Sequence, residues 1–153
     1  KGSKNYYKCK KELAILYNKL ANSRKCYIHK ITKEITDEYD IITCEKLKTK
    51  EMIINGKKNK LSSKIQDATF SEILRQLSYK SKYKGKDFYQ INTYYPSSQI
   101  CSRCMNQDKE YKDLNKREYK CIKCGQEIDR DLNASINIMF QGLELYMKSL
   151  VTC

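Results

Sequence analysis

The apolar positions alternate between two periods along the chain, and the switches between them mark out its elements. From Lys4 to about Asp37, Leu13, Leu16, Leu20, Tyr27, Ile31 and Ile35 recur at intervals of three, four or seven, the period of an amphipathic helix. Its polar side carries Lys4, Lys8, Lys10, Lys11, Lys19, Arg24, Lys25, Lys30 and Lys33. His29, the only histidine, sits beside the apolar stripe and is assigned no role. Tyr39 to Cys44 is a short β-branched run that reads as a buried strand, with Glu45 as its last residue. Lys46 to Lys60, with Asn55 and Gly56, is polar and basic and is expected to be a loop.

A second helix is predicted from about Ser62 to Tyr83, its apolar face formed by Ile65, Thr69, Phe70, Ile73, Leu74 and Leu77. Ser62 or Ser63 is placed to cap it and Gly85 to stop it. Lys86 to Tyr95 alternates as a strand does, and Pro96 ends it. A last helix follows Asp131, with Leu132, Ile136, Met139, Phe140, Leu143 and Tyr146 on one side; Asp131 is the expected N-cap. The order is helix, strand, helix, strand, a cysteine-bearing module, helix.

Composition narrows what such a fold does. The 153 residues suffice for one core with a small module. There are 31 Lys and Arg against 18 Asp and Glu, a formal net charge of +13, and 13 Tyr. That balance points to nucleic acid, where phosphate neutralisation supplies affinity and aromatic faces stack on bases. Absence of a long apolar run argues against a membrane partner.

The cysteines add metal chemistry. Cys101-x-x-Cys104 and Cys121-x-x-Cys124 have the spacing of a zinc ribbon, in which two turn-borne thiolate pairs close a tetrahedral site with Zn–S bonds of roughly 2.3 Å. A closed four-cysteine site leaves no open coordination position, so one structural zinc ion is expected. Gly125 directly after the second pair suits a turn with positive φ. Two disulfides would be the alternative, but they need an oxidising compartment. No apolar signal segment opens the chain, and Cys9, Cys26, Cys44 and Cys153 have no framework spacing. An intracellular setting is therefore expected, cytoplasmic if the host is prokaryotic.

Carboxylates are the remaining candidates for chemistry. Two or three of them on an α/β sheet can hold a pair of Mg²⁺ ions about 3.5–4 Å apart for phosphodiester hydrolysis. Periodicity does not select Glu45 and Asp131 from the 18 acidic residues.

A resemblance does. The strings Y-P-S-S-Q-I-C-S-R-C, C-I-K-C-G and D-R-D-L-N-A-S-I-N together resemble the C-terminal part of the TnpB (OrfB) family of insertion-sequence proteins, related to the type V CRISPR effector nucleases. Y-D-I-I-T-C-E-K-L resembles the segment with the family's second catalytic acid, and D-A-T-F-S-E-I-L-R-Q-L the intervening helix. The resemblance implies an α/β fold: a partial RNase H-like (RuvC) core at residues 1–95, an inserted zinc ribbon at 96–128, and the last RuvC motif with the C-terminal helix at 129–153. It implies an RNA-guided DNA endonuclease whose partners are DNA and a guide RNA from the element's own end.

By motif, Glu45 would be the second Mg²⁺-binding acid and Asp131 the third, with Asp129 a possible further acid. Arg75, Arg130, Lys10, Lys11, Arg24 and Lys25 would meet nucleic acid. Two departures stand out. Glu45-Lys46-Leu47 replaces the usual E-D-L, and no Asp has Gly two residues later, so the family's first acid, in a D-x-G strand, is missing. The chain also opens at Lys1 without an initiator Met, as a fragment would. Alone it is expected to be inactive. The rival reading is a catalytically dead, nucleic-acid-binding remnant. A zinc-ribbon transcription accessory protein would explain the four cysteines but not D-R-D-L-N-A.

Overall fold

The computed structural model describes residues 2–49, 51, 54, 69–112 and 116–151. The first helix, α1, spans Lys4–Glu38, with the Ser3 hydroxyl accepting from the Tyr6 N–H at 3.2 Å as its N-cap. The strand β1, Ile41–Glu45, ends on Glu45 as expected. Next come α2, Phe70–Tyr83, and β2, Asp87–Ile91. Two 3₁₀ turns follow, Ser97–Gln99 and Lys109–Lys112, then the short strands β3, Glu118–Lys120, and β4, Glu127–Asp129. The last helix, α3, is Arg130–Val151.

The expected loop at Lys46–Lys60 is free of helix and strand at residues 46–48; Thr49, Glu51 and Ile54 have helical backbone, and its other residues lie outside the described set. Ser62, Ser63 and Ile65 lie outside it too. Within the described residues α2 starts after Thr69, which is held at φ 48° and makes no side-chain capping bond. Its C-terminus follows the expectation for Gly85. At φ 66° Gly85 donates to the Lys82 carbonyl at 3.2 Å, and Lys86 donates to the Ser81 carbonyl at 2.9 Å. This is the paired bonding by which a left-handed glycine closes a helix.

β1 and β2 pair in parallel, Ile41 opposite Asp87 through Glu45 opposite Ile91, with α2 on the crossover. β2 is half the predicted length. After Ile91 the Asn92 side chain accepts from the Tyr94 N–H at 2.9 Å and its carbonyl accepts from Tyr95 at 3.1 Å. This Asx-type turn ends the pairing before Pro96 is reached.

Packing corrects the predicted faces of α1 and α3, while on α2 Leu77 is buried as expected. On α1 the buried positions are Ile28, Thr32 and Thr36, one residue round from the expected Tyr27, Ile31 and Ile35. Leu13, Leu16, Leu20 and Tyr27 are exposed. Thr32 and Thr36 are fully buried because their hydroxyls bond back to the carbonyls of Ile28 (2.7 Å) and Thr32 (2.9 Å), which a polarity pattern reads as solvent-facing. The α1–α2 seam combines the buried Ile28 and Leu77 with a run of polar bonds. The Thr32 hydroxyl also lies 2.9 Å from Gln76 Oε1, and Lys80 donates to the His29 carbonyl and the Thr32 hydroxyl, both at 2.8 Å. Lys84 reaches the Thr36 hydroxyl at 2.8 Å and also Asp37.

On α3, Leu132, Met139 and Phe140 are exposed, while Arg130, Asn133, Asn137 and Gly142 are buried. The helix turns its polar asparagines toward the segment after β2 and its glycine toward β1. A Cβ on Gly142 would lie 1.9 Å from Thr43 Cγ2, so α3 and β1 touch at a point where no side chain fits.

Candidate metal centre and nucleic-acid interface

Two short turns carry the four cysteines, and they repeat each other bond for bond. In the first, Met105 donates to the Cys101 carbonyl and Cys101 to the Asn106 carbonyl, each at 2.9 Å. In the second, Gly125 donates to the Cys121 carbonyl and Cys121 to the Gln126 carbonyl, again at 2.9 Å. Both turns place the residue after the second cysteine at positive φ, 59° for Met105 and 71° for Gly125. The sequence signals only the glycine, since a methionine in the left-handed region carries no compositional mark.

The four sulfurs lie within 4.8 Å of one another, with Cys101 and Cys124 at 3.6 Å and Cys104 and Cys121 at 3.6 Å. A regular tetrahedron with Zn–S of about 2.3 Å has sulfurs about 3.8 Å apart, so the cage has the size that zinc requires. Around it Cys101 and Cys121 pack with Tyr111 and Tyr119, whose ring centroids are 4.2 Å apart. The Tyr111 hydroxyl donates to the Lys120 carbonyl at 3.1 Å and accepts from the Lys120 N–H at 2.8 Å. Burial pushes the Cys101 thiol up to about 12, whereas the backbone N–H of Cys124 helps hold Cys121 down to about 6. A divalent cation would supply the charge that keeps a buried thiolate such as Cys101 ionised.

The ribbon is fastened to α3 by residues that the hydrophobic pattern passes over. Asn133 donates to the Ile100 carbonyl at 2.7 Å and accepts from the Ser102 N–H at 2.9 Å. One turn on, Asn137 donates to the carbonyls of Ser97 (2.8 Å) and Ile100 (2.6 Å). Gln126 joins the two turns, donating to the Ser102 hydroxyl at 3.2 Å. Two asparagines four apart inside a helix are poor helix formers, and that cost is the sequence signal for their role.

Glu45 stands at the carboxyl end of β1, beside Ile91 of the parallel β2, the end of a parallel sheet at which ligands bind. Burial raises its carboxyl pKa above the ordinary value. The expected cap at Asp131 is corrected: Asp129 caps α3, its Oδ1 accepting from the N–H groups of Asp131 and Leu132, both at 2.9 Å. Asp129, the last residue of β4, is well placed to do so because its carboxylate sits at the positive end of the helix dipole. Asp131 lies in the first turn with an exposed side chain. Among the described residues the four cysteines form the only cluster of three or more metal-ligating groups, so Glu45, Asp129 and Asp131 are not gathered into one.

The basic residues divide. Arg130 is 8% exposed and its Nη1 donates to the Lys116 carbonyl at 3.2 Å, an internal bond that ties the ribbon to α3. Arg24, Lys25 and Arg75 instead converge on one cleft of about 480 Å³ between α1 and α2. There Arg75 is paired in two-pronged fashion with Glu72, at 2.7 and 2.8 Å, and the guanidinium of Arg75 holds the Glu72 carboxyl down to about 2. Lys10 and Lys11 lie further toward the start of α1 and are exposed. No helix among the described residues is long and apolar enough to cross a membrane.

Residues 70–138 match the family described as Cas12f1-like, TNB domain, a stretch that takes in α2, β2, the cysteine turns and the first turns of α3. The chain is 32% identical, over 94% of its length, to a protein of Streptomyces pristinaespiralis named as a candidate RNA-guided DNA endonuclease, of which it covers 34%. It is 29% identical to InsQ of Escherichia coli K12, which carries the same candidate description, over 93% of this chain and 38% of that protein. With the TnpB-like protein L79 of Acanthamoeba polyphaga mimivirus it shares 27% identity over 95% of its length and 28% of the relative's. The chain thus spans about a third of the length of these curated relatives. Residues 70–138 are therefore similar to the Cas12f1-like TNB domain, and nearly the whole chain is similar to the TnpB-like proteins.

Proposed function

We propose that this chain forms the part of a TnpB-like, RNA-guided DNA endonuclease that contributes the second and third acids of a RuvC-like site, Glu45 and Asp131, together with a structural zinc ribbon. The observation that carries the reading is the similarity to relatives named for that activity along 94% of the chain. Glu45 supports it in a second way. It ends a parallel strand, at the edge where α/β sheets bind ligands, and its burial there favours the protonated form unless a cation approaches. When bound, Mg²⁺ would activate water and stabilise the leaving oxygen. Within this chain Glu45 and Asp131 are the candidate oxygen ligands, and Asp129 is engaged as a helix cap. The four cysteines would hold one zinc ion that shapes the ribbon and takes no part in hydrolysis.

The test is made on the whole protein encoded by the gene, with its guide RNA. Glu45→Gln and Asp131→Asn are each expected to lower Mg²⁺-dependent DNA cleavage by at least about 100-fold, with affinity for nucleic acid unchanged. Cleavage that survives both substitutions would reject the assignment of these acids. A second reading, a nucleic-acid-binding protein without nuclease activity, draws on the absence of a three-carboxylate cluster among the described residues and of any D-x-G in the sequence. Binding with no cleavage by the whole wild-type protein would favour it.

A further inference from the structure

Beside the cleft that gathers Arg24, Lys25 and Arg75 lies a second, apolar one, and the two share Arg24, Ile28 and Thr69. Its walls are Tyr27, Ile28 and Ile31 of α1 and Ile73 of α2, and its volume is about 250 Å³. Pockets for extended small molecules run roughly 300–1,000 Å³, so this one suits a single flat ring system. The charge at its mouth selects the kind of ring. Arg24 lines both clefts, with Lys25 and Arg75 next to it, and Glu72 is the one carboxylate among the residues lining either. The environment is cationic beside an apolar slot, which matches a ring carried on a phosphate backbone.

Two further features fit that occupant. Tyr27 is 66% exposed, an aromatic face held at the edge of the slot and not used in the core. Thr69, a β-branched residue held in the left-handed region at φ 48°, borders both clefts and its hydroxyl does not cap α2. Strain of this kind is concentrated at binding sites.

We infer that the slot between α1 and α2 takes one unpaired base of a single-stranded nucleic acid, stacked against Tyr27 and the isoleucines, while Arg24, Lys25 and Arg75 hold the neighbouring phosphates. The inference rests on the proposed nucleic-acid function and adds to it a site that reads the base face as well as the charge. Every base has such a face, so the slot favours single strands over duplex without demanding a sequence. Because Glu72 already occupies both prongs of Arg75, a phosphate that takes Arg75 must displace that carboxylate.

The experiment uses the full chain and fluorescent oligonucleotides of equal length and equal phosphate count, one set with bases and one fully abasic, each in DNA and RNA form. Base stacking predicts that the abasic strand binds about tenfold more weakly, the effect of losing one stacked base. Ile73→Trp, which fills the slot, is expected to abolish that difference while leaving abasic binding as it was. Tyr27→Ala, at an exposed position that does not threaten the fold, is expected to shrink it if the tryptophan variant fails to fold. Equal affinity of the wild-type chain for the two sets would overturn the slot and leave the nucleic-acid reading standing. Discrimination that persists in a folded Ile73→Trp or in Tyr27→Ala would place the base elsewhere and also overturn it. Failure to bind either set would remove the nucleic-acid reading itself.

Discussion

At Gly142 the last helix approaches β1 so closely that a single methyl group has nowhere to go. An added Cβ would stand 1.9 Å from Thr43 Cγ2 and 2.5 Å from Thr43 Cβ. In a solvated helix Gly→Ala gains about 1 kcal/mol; here we expect Gly142→Ala to lose about 1–3 kcal/mol by overpacking. Thr43→Ala should return part of it in the double variant, and urea unfolding of the four proteins measures both effects. A stabilised Gly142→Ala would show that helix and strand are further apart. Glu45 makes the opposite kind of statement. Its carboxyl is raised above the ordinary 4.5 by burial, so folding favours the protonated form. That stability is fully present below about pH 4.5 and lost as the pH rises through the raised value. Glu45→Gln should therefore raise the melting temperature at neutral pH, with the gain fading as the pH is lowered toward 4.5. A loss at neutral pH would mean that the ionised carboxylate has a stabilising partner. A residue that costs stability where it stands is what a ligand-binding site leads one to find.

Among the elements, the ribbon depends most on something outside ordinary packing. Among the described residues its buried cluster consists of Tyr111, Tyr119, Cys101 and Cys121, with Ile128 packed against it, little apolar surface to hold two turns and a three-residue hairpin. A metal ion held by the four thiolates would supply the rest. Cys121→Ser is expected to drop bound zinc from one per chain to well below one and to open residues 101–128 to protease, while most helical circular dichroism remains. Zinc still bound at one per chain would contradict the four-thiolate assignment. Asn133 and Asn137 then convert a folded ribbon into a positioned one, since they fix its backbone to α3. Helix α1 shows the contrast between halves of one element. Residues 2–23 are exposed along their whole length, and burial begins at Arg24. The half that packs buries Ile28 together with Thr32 and Thr36 and adds lysine-to-carbonyl bonds, polar contacts that help set its register.

On the scale of the molecule, α3 is the common member, touching the parallel pair β1–β2 at one end and the cysteine turns at the other. The order of the named elements outside residues 46–60, the ends of α1, the strand closing on Glu45, the glycine stop at Gly85 and the four-cysteine cage were all determined by the sequence alone. Each depends on a local rule: period, capping, left-handed glycine or ligand spacing. Tertiary structure decided which faces are buried. Tyr27, Leu132, Met139 and Phe140 match the helical period yet lie exposed, while Thr32, Gln76, Asn133 and Asn137 are fully buried. A polar side chain buries readily where the fold offers it a partner, and those partners stand 31 to 44 residues away. The cap passed from Asp131 to Asp129 because β4 runs straight into α3. Arg24, Lys25 and Arg75 were separate basic residues until α1 met α2, because a cleft belongs to two helices and no one-dimensional pattern contains it.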